Sequence, residues 1–355
     1  MGLREAALGH ANLENLTPFA FEAAIATDED GRFLYVPIVK ATYTLHPDGS
    51  LTIAEKQLPV NLGGELWGEP GKSSYKYEPE CSFTKTATDV ALIGHAHAGA
   101  KPATEVFVRL RIGPLDKTIR VSGDRYWIKG LGMISMTSPE RFESIPLIYE
   151  RAFGGWDRSN PDPNKQGFEP RNPVGIGFRS KHGTFEEGLQ VANLEDPKDP
   201  VREYGRAVRP AAYGFTAPEW QPRAAFAGTY DEQWTNERMP LLPKDFDRRF
   251  FNAASEGLIA SGYLKGDEAV SIENASPRGT LSFDLPGVPP PECLIQVARG
   301  PDARVQTNLD TVIINTDDNL VLLLWRGHLI LRNSLHDVVS VQIQTDGVSV
   351  AATVE

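Results

Sequence analysis

Eleven of the chain's 27 prolines fall between residues 155 and 245, about a quarter of its length. Proline has no N–H to give a sheet ladder and it breaks a helix interior, so this stretch can be neither a central strand nor a long helix. A flexible linker does not fit either. Trp156, Trp220, Trp234 and several tyrosines are interleaved with the prolines, and rings of that size need burial or a partner. The segment reads as long ordered loops wrapped over a core built by the rest of the chain. Loops of that kind usually carry function.

On either side the pattern is β. Phe33-Leu-Tyr-Val-Pro-Ile-Val-Lys-Ala-Thr-Tyr-Thr-Leu45 is rich in β-branched and aromatic residues, Pro47-Asp-Gly-Ser50 supplies turn chemistry, and Leu51-Thr-Ile53 resumes the alternation of a hairpin. Val106, Val108, Leu110 and Ile112 share one face of the next run, with Arg109 and Arg111 on the other. Gly113-Pro-Leu-Asp116 turns, and Ile119 and Val121 continue the inward face. Thr311-Val-Ile-Ile-Asn-Thr316 and Leu320-Val-Leu-Leu-Leu-Trp325 flank Asp317-Asp-Asn319 as a third hairpin, and Val339, Val341 and Ile343 alternate after it. Helical periodicity is scarce; residues 243–254, with Phe246 and Phe250 four apart, form the best short candidate. The expected fold is mainly β: an antiparallel β-sandwich-like core in one or two lobes, with long ordered Pro-, Gly- and aromatic-rich loops and few short helices. It divides into a β-rich region 1–155, a loop-rich region 156–245 packed on the core, and a β-rich region 246–355.

A chain of 355 residues can bury a large core without staples. Its 36 basic and 47 acidic residues leave a net charge of −11, which argues against a nucleic acid or an anionic membrane surface as partner. Cys81 and Cys293 are too few for a disulfide framework or a cysteine zinc site. The first twenty residues, broken by Arg4, Glu5, His10 and Glu14, lack the pattern of a signal peptide. The longest uncharged runs reach about half a membrane span. The expectation is a soluble, cytoplasmic protein.

Chemistry-bearing patterns are sparse. In His95-Ala-His97 strand alternation puts both imidazoles on one face, a ligand geometry. No third ligand is identifiable, and two hydrogen-bonded strand histidines account for the pattern as well. Asn160, Asp162 and Asn164 resemble part of a calcium loop, without its central glycine and with Pro161 and Pro163 between them. The adjacent carboxylates Glu186-Glu187, Asp267-Glu268 and Asp317-Asp318 read as turn or surface residues. The chain has no Gly-x-Ser-x-Gly elbow, His-Glu-x-x-His helix, phosphate loop or dinucleotide fingerprint. No catalytic residue and no cofactor is expected. Asp124/Arg125 and Glu150/Arg151 are candidate buried pairs that pin loops, with Trp127, Arg249, Asn252 and Asp267 in the same fold-pinning role. Tyr230, Trp234, Trp220 and Arg238 are the candidate partner contacts, being of the residue types that anchor interfaces.

A series of strings in fixed order adds a resemblance. They are Lys40-Ala-Thr-Tyr-Thr-Leu45, Lys85 with Thr88-Asp89, Gly94-His-Ala96, Val121-Ser-Gly-Asp-Arg-Tyr-Trp127 and Tyr149-Glu-Arg-Ala-Phe-Gly-Gly155. Asn172-Pro-Val-Gly175, Ala227-Gly-Thr-Tyr-Asp231, Trp234, Pro240-Leu-Leu-Pro243, Asp245-Phe-Asp247, Arg249-Phe-Phe-Asn252, Gly266-Asp-Glu268 and Leu285-Pro-Gly287 continue it. In these the chain resembles, over about residues 19–325, a bacterial family catalogued as a domain of unknown function, whose genes commonly sit beside type VI secretion components. The resemblance implies a non-enzymatic adaptor or chaperone that binds a cognate secreted effector and helps load it onto the spike proteins VgrG and PAAR. It supplies no catalytic residues. The rival expectation is a β-sandwich metal-dependent hydrolase or glycan-binding protein using loop carboxylates or His95 and His97; a structural part of the secretion apparatus is a third.

Overall fold

The computed structural model describes residues 12–81, 83–130, 132–331 and 337–346. Its centre is the strand Phe33–Leu45, buried along almost its whole length. The strand pairs antiparallel with Ala20–Thr27 on one side and with Leu320–Arg326 on the other; Asn308–Asn315 and Asp89–Ile93 follow outward in the same sheet. Leu51–Ile53 and Leu329–Leu331 add short pairings at its two ends. Both β-rich ends of the sequence therefore contribute to one seven-stranded sheet.

One face of that sheet, carrying Tyr35, Val39, Val312, Leu323 and Trp325, packs against a second layer made of two sheets. The first has the strand order Asn12–Asn15, Val338–Gln344, Glu292–Val297, Ala303–Gln306 and contributes Cys293, Ile295 and Val341. The second runs Leu194–Glu195, Leu115–Ser122, Glu105–Ile112, Ala269–Glu273, Leu281–Asp284 and contributes Val108, Leu110, Ile119, Ile272 and Phe283. The opposite face is covered by loops. Ala91, Ile93, Ile313, Leu322 and Leu324 pack against Phe215 and Ala253, with Leu58, Trp67, Tyr75 and Tyr77 alongside. Burial on both faces explains why the central strands read as continuous apolar runs rather than as an alternation.

The three hairpins form where expected, around residues 46–50, 113–114 and 316–319. In the first, Asp48 accepts the Ser50 N–H at 2.9 Å and Gly49 takes φ 86°, a conformation glycine adopts without a Cβ penalty. Two features depart from the sequence reading. The sheets are mixed, since Asp89–Ile93 runs parallel to Asn308–Asn315 and Asn12–Asn15 parallel to Val338–Gln344; the connections are long enough for the crossovers that parallel pairs need. Residues 243–254 do not form a regular helix. They hold one 3-10 turn, Arg248–Phe251, started by the Asp247 carboxylate on the Arg249 N–H at 2.9 Å. The aromatic spacing there builds a ring cluster of Phe246, Phe250 and Phe251 with centroids 5.4–5.9 Å apart, not a helix face. The α-helix of the segment is Glu232–Glu237, capped by Asp231 on the Trp234 N–H at 2.8 Å.

Candidate functional site

Where the loop layer meets the central sheet, seven charged side chains are buried together, each side chain 4% exposed or less. The Lys85 ammonium donates to Glu78, to Asp89 at 2.7 Å and to the Thr311 hydroxyl at 2.9 Å. Lys40 donates to Glu80 at 2.7 Å and to the Pro59 carbonyl at 3.1 Å. Arg326 donates from one nitrogen to both Asp310 oxygens at 2.7 Å and from another to the Glu80 carbonyl at 3.2 Å. Burial raises the Glu78 carboxyl, with Lys85 opposing. For Lys85 burial works downward, but Asp89 and Glu78 outweigh it and its ammonium is held more firmly than usual.

Asp89 sits at the edge of the sheet, and it also grips the loop layer. Its two oxygens accept from the Asn252 amide at 2.9 Å and from the Ala253 N–H at 2.7 Å. The Asn252 amide also donates to the Ala87 carbonyl at 2.9 Å, while its own oxygen accepts from the Thr86 hydroxyl at 2.8 Å. Asn252 thus bridges the stretch 86–89 and the loop at 252–253. With these side chains enclosed and bonded to one another, the lattice works as a clamp between the sheet and the loop at 252–253.

The other motif strings also fasten loops, with different partners from those expected. Arg125 bonds Glu195 at 3.0 Å and the Ala192 carbonyl at 2.7 Å. Asp124 accepts from Asn193 at 2.8 Å, Gln190 at 3.0 Å and Arg151 at 3.4 Å. Glu150 accepts from the Ser74 N–H and hydroxyl at 2.7 and 2.8 Å. Neither sequence-adjacent pair forms: Arg125 starts a strand and points away from Asp124, while Glu150 and Arg151, in the 3-10 turn Tyr149–Arg151, reach Ser74 on one side and Asp124 on the other. Trp127 is buried edge-on against Tyr204, centroids 5.4 Å apart. Gly155 takes φ 91° with the Gly175 carbonyl 2.2 Å from where a Cβ would stand, so only glycine fits. Asp267 is exposed, and its neighbour Glu268 holds the turn by accepting the Lys265 and Gly266 N–H groups at 2.7 and 2.9 Å. Arg249 is also exposed, paired with Asp247 and lying 4.3 Å from the Phe226 ring centre.

Residues 230–239 of the loop layer present an apolar ridge. Tyr230 and Met239 are 53% and 59% exposed, and between them the half-buried Trp234 meets Tyr230 edge-on at 4.7 Å. The indole N–H donates to the Leu241 carbonyl at 2.9 Å, fixing the ring. Beside it lies a cleft of about 260 Å³ between Trp234 and Pro243, rimmed by Asp231, Glu237 and Asp245. Arg238 is not free to meet a partner: it donates to the Leu242 carbonyl at 2.8 Å and to the Glu29 carbonyl, stapling the ridge to the turn after Ala20–Thr27. Arg248 adds an ion pair to Glu29 at 2.7 Å. Trp220, grouped with the ridge by sequence, is instead 3% exposed and packed edge-on against Tyr149 at 5.2 Å; it is a core residue.

His95 and His97 flank a buried Ala96 with ring centres 6.4 Å apart. The His95 Nδ1 lies 2.9 Å from Asp317 of the third hairpin turn, and burial lowers His97. Among the described residues no three His, Cys, Asp or Glu side chains are placed to hold a metal ion. Lys117 was missed by sequence reasoning, for it looks like an ordinary strand lysine. Its ammonium donates to the Ser255 hydroxyl at 2.9 Å and the Glu256 carbonyl at 2.6 Å, and lies 5.8 Å from the Tyr213 ring centre. Burial with no carboxylate in contact pushes it down to about 7. No helix among the described residues is long and apolar enough to cross a membrane.

No curated protein and no solved structure matches the chain. A family model described as an uncharacterized protein conserved in bacteria, DUF2169, matches residues 30–326, a span that contains the clamp, the loop layer and the ridge, and the chain belongs to that family.

Proposed function

We propose that this protein is a non-catalytic adaptor, which holds a secreted effector polypeptide in the producing bacterial cell and passes it to the VgrG and PAAR spike of a type VI secretion apparatus. The observation that carries the reading is the ridge of Tyr230, Trp234 and Met239, solvent-facing and yet held rigid by Arg238 and the indole hydrogen bond. A monomer gains nothing in stability by exposing such rings, whereas a partner-binding surface gains contact area with little ordering cost. The chemistry-bearing residues nearby are occupied with fastening the loop, which supports binding over turnover as the task of this face.

The test is capture from the native bacterium at chromosomal expression level. The wild-type chain retains an effector encoded nearby, and its deletion lowers delivery of that effector while spike components are still exported. Tyr230→Ala with Met239→Ala weakens the complex by at least about 1–2 kcal/mol while leaving thermal unfolding unchanged, since both side chains are exposed. Normal delivery after deletion, or full affinity in the double variant, would refute the proposal.

A further inference from the structure

The hairpin of Arg125–Gly130 and Met133–Met136 ends a three-stranded sheet whose order places Met133–Met136 at the outer edge. The Thr137 N–H donates to the Tyr126 carbonyl at 2.9 Å, so Tyr126/Thr137 is a hydrogen-bonded position of the ladder. Such positions alternate along an antiparallel pair. Ser135, opposite Ile128, is therefore bonded inward, while Ile134 and Met136 turn their N–H and C=O groups outward. Among the described residues no backbone partner lies on that side. Ile128, Met133 and Ile134 are 37%, 73% and 42% exposed. An unpaired edge of this kind is a template for one more strand.

We infer that a second copy of this chain occupies the edge, pairing Met133–Met136 antiparallel with itself about a two-fold axis through Ser135. Charge permits that occupant at this edge. Residues 130–139 carry no charged side chain, so self-pairing sets no like charges opposite one another. By contrast, the outer strands Asn12–Asn15, Ala20–Thr27, Leu281–Asp284 and Ala303–Gln306 carry Glu14, Glu22, Asp284 and Arg304, and like charges opposed across a ladder repel. In this register Ile134 of each copy exchanges both backbone hydrogen bonds with Met136 of the other, giving four bonds, and their side chains meet on one face. Ser135 faces its own copy at the closer, non-hydrogen-bonded spacing of about 4.5 Å between Cα atoms. The two hairpins then form one continuous sheet across the dimer.

Analytical ultracentrifugation over a concentration series reads the outcome. The wild-type chain of 39.0 kDa sediments at twice that mass. Ile134→Pro removes one outward N–H per copy and so two of the four bonds, raising the dimer dissociation constant about tenfold or more; Tyr230→Ala leaves it unchanged. In a Cys81→Ser background, which removes the exposed native thiol, Ser135→Cys forms an intermolecular disulfide under mild oxidation, because that spacing suits an S–S bridge. A monomer at every concentration, a dimer indifferent to Ile134→Pro, or a dimer whose Ser135→Cys thiols do not cross-link overturns the inference.

Discussion

Replacing Lys85 with Met tests whether the buried lattice is a clamp. The substitution keeps most of the side-chain volume and removes a cation that faces Glu78, Asp89 and Thr311 with 0% exposure. Asp89 keeps two donors, the Asn252 amide and the Ala253 N–H; Glu78 loses the ammonium opposite it. Breaking a buried pair from one side costs about 3–5 kcal/mol, largely from the charge left behind. Lys85 is the charge that opposes burial at Glu78, so without it the carboxyl is raised further than in wild type, and proton uptake there offsets part of the loss. With about 2.1 cal/mol/K of unfolding entropy per residue, roughly 0.75 kcal/mol/K for a chain of this length, the melting temperature falls by about 4–7 °C. The sign of the pH effect follows. A carboxyl that binds its proton more tightly when folded makes stability decline as pH rises above the unfolded value. The deficit of Lys85→Met against wild type therefore widens between pH 5 and pH 7. Adding Glu78→Gln recovers at least about 1 kcal/mol, a coupling expected of groups in contact. Urea titrations of the four chains at both pH values decide the matter. A Lys85→Met loss below about 1 kcal/mol, or strictly additive double-variant losses, would show that the lattice does not bear on stability as argued.

Lys117 gives an opposite pH signature. Its amine, held at about 7 by burial against an ordinary 10.5, binds fewer protons folded than unfolded between those values. Stability thus rises with pH across that window, and a deficit of about 2–4 kcal/mol is present in full below pH 7. Lys117→Met removes the deficit, so its stability difference from wild type changes between pH 6.5 and pH 9; a constant difference would contradict the assignment. Trp220→Ala lowers stability by about 3–5 kcal/mol as a core truncation, whereas Tyr230→Ala stays within about 0.5 kcal/mol of wild type. Thermal unfolding of the pair separates core from ridge, and equal losses would place both rings in the core. Asn252→Ala leaves Asp89 without one donor and the loop without its tie, and proteolytic cleavage within residues 213–254 then speeds up at least about fivefold, by roughly 1 kcal/mol of local opening; unchanged protection would remove Asn252 from the clamp.

The β architecture was legible because its signals are local: the turn residues at 46–50 and 316–319 and the alternation of 106–112 each specify a hairpin from a dozen residues. The clamp was not, because its members come from six separate stretches of chain and none is unusual alone. Lys40 shows why. Between Val39 and Ala41 in a strand, a lysine ordinarily marks a solvent face. Here that face is roofed by the loop layer, which brings Glu80 and the Pro59 carbonyl to the ammonium. The signal that was present is an excess of charge inside apolar strands, with Lys40, Asp89, Asp310 and Arg326 all within or capping runs of buried residues. Such residues are either misplaced or paired. Pairing across long sequence separation needs an ordered roof, and Pro59, Glu78, Glu80 and Lys85 supply it, with Asn252 and Ala253 on Asp89, all outside the proline-rich stretch. The same reasoning misplaced Trp220, since residue type cannot distinguish a ring that anchors a loop from one that the loop displays; only the partner does, and Tyr149 is its partner. The ridge depends on ties of its own. A surface offering Tyr230 and Met239 on a mobile loop would lose about 0.5–1.5 kcal/mol per side chain ordered on binding, and the fastening by Arg238 and the Trp234 indole removes much of that loss in advance. On the proposed function, cutting either tie weakens partner binding without touching the exposed side chains, while a ridge indifferent to them would have to owe its affinity to the exposed rings alone.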